Sequence, residues 1–229
     1  MTFFAKFCIP FIVGEAVLFA TIAIKYLTWL RHLPKSDWKL IVKNVLSWHS
    51  VAAMWEVVSE SLLHRRIFRV NPLLGYMHMS LAFGWFLLIA VGWIETIAYL
   101  GFEWIPLQGH VFFKYFVPLN GITEHKPLFD FVMDFLLLFV LSGVALAWFK
   151  RMRSRAMGMK RTTKHTTFDR IALSSLWFIF PVRLLSESIT AAIYGGGGFL
   201  TGGIGTLLSS VIDVNILTAL YEPIWWLYS

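Results

Sequence analysis

Among the ionisable residues inside apolar stretches, where a membrane-spanning helix would carry them out of water, six carboxylates and one arginine stand out: Glu15, Glu95, Asp130, Asp134, Glu187, Asp213 and Arg183. An ionisable side chain at such depth is costly and points to a functional role by default. Asp130 and Asp134 are four residues apart, as are Arg183 and Glu187, so each pair shares one face of a helix. An arginine deep in a bilayer needs a carboxylate partner, which Asp134 or Glu187 can supply. Two readings stand. The charges form ion pairs that only hold helices together, or they line a polar pocket for a quinol or a proton. In the second reading a carboxylate takes the proton and Arg183 steadies the developing anionic oxygen. Asp134, Arg183 and Glu187 are the candidate catalytic residues.

The seven histidines are His32, His49, His64, His78, His110, His125 and His165, and only His78 lies clearly within an apolar span. It either bonds a neighbouring helix or serves as an axial ligand to haem iron. Gly75 and Ala82 lie near its face and leave room for a planar group, and Met77, Met79 and Phe83 surround it softly. An axial nitrogen, space and a second ligand are what a haem needs. His64 is 14 residues earlier and on a similar helical phase, although Pro72 interrupts the path. His49 is another candidate on the same segment. The single cysteine, Cys8, can form no iron–sulfur cluster in this chain.

Positioning these groups requires helices that cross a bilayer. Of 229 residues, 58% are hydrophobic, 17% aromatic and only 14% charged, against about 45–50% apolar and about 25% charged in a soluble domain. Five stretches approach the roughly 20 apolar residues that span a ~30 Å hydrocarbon core: 10–30, 73–100, 128–149, 171–194 and 206–229. The fold class expected is all-α, an integral membrane five-helix bundle forming a single domain.

Charge sets its orientation. The net charge is +7, yet 15 of the 20 Lys and Arg residues lie in two alternate connections, 31–71 and 150–170. That places the N-terminus outside and the C-terminus in the cytoplasm, and it removes nucleic acid as a partner. The six carboxylates then all lie toward the outer side. Residues 38–68 read as an amphipathic helix on the inner surface. The aromatic stretch 102–116 reads as lying along the outer interface, and the glycine run 195–198 as a flexible outer turn. Pro181 favours a kink in the fourth span. The fifth span ends at Ser229 without a basic stop, which suggests the N-terminal part of a longer chain.

The stretch Leu63-His-Arg-Arg-Ile-Phe-Arg-Val-Asn-Pro-Leu-Leu-Gly-Tyr-Met-His78, running into a Phe- and Gly-rich span, resembles the membrane cytochrome b subunit of respiratory nitrate reductase. It is similar also to the membrane subunits of heterodisulfide reductase and of the sulfite-reduction-associated complex. The motif covers about 40 residues, and the layout of spans extends the likeness over the chain. The resemblance implies a quinol- or quinone-reactive cytochrome b, with haem held between the second and fifth helices. It implies electron exchange with a cytoplasmic iron–sulfur protein, or with an iron–sulfur domain fused after the fifth span. By that likeness His78 matches the ligand of the inner haem, and its partner would fall beyond Ser229. Members with two haems carry a second histidine about ten residues on, where this chain has Leu88, so one haem b is expected.

The function expected is a quinol-linked electron-transfer subunit of the cytoplasmic membrane. An ion-coupled transporter or channel, and a haem-free anchor for a redox complex, are the alternatives.

Overall fold

The structure, a computed structural model, describes residues 2–45, 47–122, 124–158 and 166–229. Lys160, Arg161, Lys164 and His165, which the sequence places in the second basic connection, lie outside the described residues. Every regular element among the described residues is helical. Four helices are long and apolar enough to cross a membrane: α1 (Cys8–Arg31), α5 (Pro72–Leu100), α8 (Pro127–Ala156, its candidate span being Pro127–Ser154) and α9 (Thr167–Tyr194). The chain therefore has the build of a multi-pass membrane protein in a lipid bilayer.

The fifth expected span is not one helix. It divides into α10 (Thr201–Val211) and α11 (Val214–Tyr228). Ile212 is extended, and the Asp213 carboxylate caps α11 by accepting from Asn215 N at 2.8 Å. Aspartate favours that capping position because it satisfies amides a new helix leaves bare. At 15 residues, α11 is about 22 Å long, short of the core thickness. Asp213 is thus a cap between two short helices and not a charge within a span.

The first basic connection is also segmented. It comprises α2 (Lys35–Asn44), α3 (Trp48–Glu56), a π-helical turn (Val57–Leu62) and α4 (Arg65–Val70), where the sequence predicted one amphipathic helix. The glycine of α5 explains how α4 docks: a Cβ on Gly75 would lie 2.6 Å from the Phe68 ring and 2.7 Å from its backbone. Only glycine permits that approach. The room that the sequence assigned beside Gly75 to a planar group is occupied by Phe68.

The bundle is built on the antiparallel pair α5 and α8. Small residues bring them together, as in other membrane interfaces. A Cβ on Gly84 would come within 2.6 Å of Val140, and Ser80 sits against Gly143. Tyr76 and Ser142 share a hydrogen bond of 2.7 Å. Leu88, Met133, Leu137, Val140 and Phe180 fill the seam shared with α9. Gly143→Leu therefore forces the helices apart. A loss of about 1–3 kcal/mol or more is expected from overpacking, read as a lower unfolding midpoint in detergent.

A second core lies toward the charge-poor end. The aromatic connection contains α6 (Leu107–Val111) and α7 (Phe113–Leu119). Phe102 and Trp104 are exposed as expected, but Phe112, Phe113, Tyr115 and Phe116 turn inward and are buried. Phe112, Tyr115 and Phe116 pack with Phe7 and Trp225, and Phe113 meets Tyr99. Phe7 also accepts from Ser229 through its carbonyl, so the start of α1 and the end of α11 meet. Beyond that contact α1 is almost wholly exposed. α9 runs unbroken through Pro181. α11 lies antiparallel to α9: Tyr221 meets Tyr194, Trp225 donates to Thr190 Oγ1 at 3.2 Å, and Tyr228 reaches Arg183.

Candidate functional site

Two places gather the chemistry, one at each end of α5. At the charge-poor end, α7 dips between α5, α8 and α9 and carries Lys114 into the carboxylates. Lys114 Nζ donates to Asp130 Oδ1 at 2.6 Å and lies 2.9 Å from Glu95 Oε1. The Glu95 side chain is 1% exposed. Burial alone would lower the proton affinity of Lys114, but Glu95 and Asp130 outweigh it and hold the ammonium above the usual lysine range. Lys114 is therefore charged throughout the physiological range. Its neighbour Tyr115 is pushed up to about 12, chiefly by burial and then by Glu222, so its phenol stays protonated.

One helical turn apart on α9, Arg183 Nε donates to Glu187 Oε1 at 2.8 Å, and both residues are buried. Tyr228 from α11 reaches the same guanidinium. Glu187, Lys114 and Asp130 line a cavity of about 100 Å³, together with Tyr99, Phe113 and Tyr194. Acidic, basic and aromatic groups thus converge on a mostly apolar hollow.

Asp134 has a different role. It accepts from Leu200 N at 2.7 Å, Thr201 N at 2.9 Å and Thr201 Oγ1 at 2.8 Å. A carboxylate at the start of α10 satisfies amides that helix geometry leaves bare. The glycine run that delivers those amides is packed, where the sequence suggested a flexible turn. Gly195, Gly196 and Gly197 take φ of +78°, +81° and +80°, conformations that other residues adopt at a cost. The ring of His125 packs on Gly196, and Gly198 packs on Asp130 and Asp134.

At the basic end, His64 and His78 meet. Their rings are 5.4 Å apart between centres and inclined by 18°. His64 is the one non-glycine residue with positive φ among the described residues, at φ 51° and ψ 39°. Such strain costs on the order of 1–3 kcal/mol and clusters at functional sites; π turns do likewise, and one precedes it directly. His64 Nδ1 lies 3.2 Å from the Leu62 carbonyl. A carbonyl can only accept, so Nδ1 is the donor in this contact. That arrangement fixes an imidazole as a metal ligand.

Among the described residues no group of three or more His, Cys, Asp or Glu could hold a bare metal ion. His64 and His78 offer two imidazoles side by side, the donor type that would hold a haem. The face beside Gly75 is filled by Phe68 and is closed to a planar group.

Of the expected residues, the structure pairs His64 with His78 and Arg183 with Glu187, and it sets Asp134 apart as a cap. Glu95, Lys114 and Asp130 form a cluster the sequence did not assemble. The available signal was Lys114, one of only two basic residues in the charge-poor connections. Compared with family models, with curated proteins and with solved structures, the chain finds no match.

Proposed function

We propose that the chain is the membrane subunit of an electron-transfer system. It exchanges electrons between the quinone pool and an iron–sulfur protein on its basic, cytoplasmic side, through one haem b. The observation that carries this reading is the His64–His78 pair, with a strained backbone at His64 and its Nδ1 turned to the Leu62 carbonyl. These two residues would hold the haem, which when bound supplies one-electron chemistry.

The cavity at the other end of α5 suits a quinol. Tyr99 and Phe113 offer aromatic surface, Asp130 and Glu187 can accept a phenolic hydrogen, and Lys114 can steady the oxygen left behind. Arg183 orients Glu187 through the 2.8 Å bond. From His78 to Glu95 is 17 residues of continuous helix, about 26 Å, most of the hydrocarbon thickness. An electron passed from one end to the other moves against or along the membrane potential, about 2.3 kcal/mol per 100 mV. The basic residues at the inner end, Arg151 and Arg153 among them, would steer an acidic partner.

Haem content tests the reading. Protein purified after expression with adequate haem should show a b-type band on reduction. His78→Ala should lose it. His64→Gly should lose it as well, while keeping the fold, since glycine accepts the positive φ. Retention of the full band in both variants would remove the histidine pair from the account.

The buried charges lining the cavity favour a second reading, an ion-coupled transporter. It predicts substrate or ion flux into liposomes with no redox partner present.

A further inference from the structure

Two of the three ionic groups around Lys114 neutralise each other, and the third is left over. The ammonium gives its aligned hydrogen bond to Asp130, at 2.6 Å. Glu95 Oε1 forms an ion pair with it at 2.9 Å without an aligned hydrogen bond, and Oε2 has no hydrogen-bond partner among the described residues. Both oxygens are inaccessible. The other charges that face Glu95 are Glu187 and Arg183 on α9, and these are committed to each other at 2.8 Å. Tyr99 stands one turn further along α5. The neighbouring Thr96 hydroxyl is spent on the Gly92 carbonyl at 2.7 Å. Two neutral pairs therefore surround one extra carboxylate in a dry interior. An isolated buried carboxylate is expensive and is relieved by taking up a proton.

We propose that Glu95, with Lys114 and Asp130, forms a proton-storage site in which one proton resides on Glu95 and is exchanged with the cavity through Asp130. The ligand is a proton. The contacts supply the route: Asp130 and Lys114 line the cavity, and Lys114 touches both carboxylates. Uptake makes the cluster neutral, with the hydrogen on a Glu95 oxygen. Release leaves a charge that the ammonium, already 2.9 Å from Oε1, can meet by turning a hydrogen bond from Asp130 to Glu95. The site therefore couples the protonation of a buried carboxyl to the position of a cation on the cavity wall. It does not depend on haem, and it serves a quinol site and an ion-coupled carrier alike.

Infrared spectroscopy of the full chain in lipid nanodiscs at neutral pH tests this. The expected spectrum contains the carbonyl band of a protonated carboxyl group. It should shift in D2O and on labelling with ¹³C-glutamate, and not on labelling with ¹³C-aspartate. Glu95→Gln should remove the band and leave the melting temperature close to that of the parent, since glutamine copies the neutral acid in shape. If Glu95→Gln does not fold, the labelled parent protein still decides the matter. Absence of a glutamate-sensitive carbonyl band, or its persistence in folded Glu95→Gln, would overturn the proposal.

Discussion

Arg183→Met should lower the unfolding free energy by about 3–5 kcal/mol, because it strands the Glu187 carboxylate in a buried site. Arg183 is 8% exposed and Glu187 6%, so neither solvent nor salt screens the loss. The double variant Arg183→Met with Glu187→Leu should recover most of it. Replacing both partners of a buried pair by apolar side chains is often neutral or stabilising. The double variant also separates two roles for the pair. If it serves only to join helices, a stable double variant keeps its activity. Glu187 lines the cavity, and the account expects the stable double variant to lose quinol-dependent electron transfer. Denaturant titration in mixed micelles gives the first quantity and a quinol assay the second.

Lys114→Met should be comparably damaging, at about 3–5 kcal/mol, for a related reason. It removes the one cation between two buried carboxylates. The two partners are not equivalent, however. Asp130 holds the aligned 2.6 Å hydrogen bond and is left unpaired, whereas a protonated Glu95 loses little. The rescue should therefore come from Asp130→Asn in the Lys114→Met background, and much less from Glu95→Gln. Equal rescue by both would show that the ammonium is shared evenly. Adding the single variants Asp130→Asn and Glu95→Gln closes the cycles that measure the coupling between the sites.

Much of this was legible from residue spacing. The i, i+4 rule placed Arg183 beside Glu187, and hydropathy located four spans to within a few residues. The sequence singles out His78 by type and depth and His64 by helical phase, and the structure brings their rings together. The failures have physical causes. Asp130 and Asp134 share a helix face, yet one meets an ammonium and the other meets bare amides, because the loops that supply those partners fold back from distant segments. The fifth span looked continuous by hydropathy alone. An aspartate at 213 with an extended residue before it was a helix-start signal within that apolar run. Lys114 sat in a connection assigned to the interface, and burial of α7 by its aromatic neighbours is a tertiary effect that no local pattern encodes. The glycine run shows the same limit: composition suggests freedom, whereas Gly196 packs under His125 and Gly198 against Asp130 and Asp134.

The central claim is that electrons from a quinol reach a haem held by His78. The direct measurement is an optical spectrum of haem-replete protein in liposomes, recorded as a short-chain quinol is added. The account predicts that the b-type α-band rises on addition, is absent in His78→Ala, and rises more slowly in Glu187→Gln. Haem-replete preparations that show no b-type band, or a band that His78→Ala leaves intact, would contradict it.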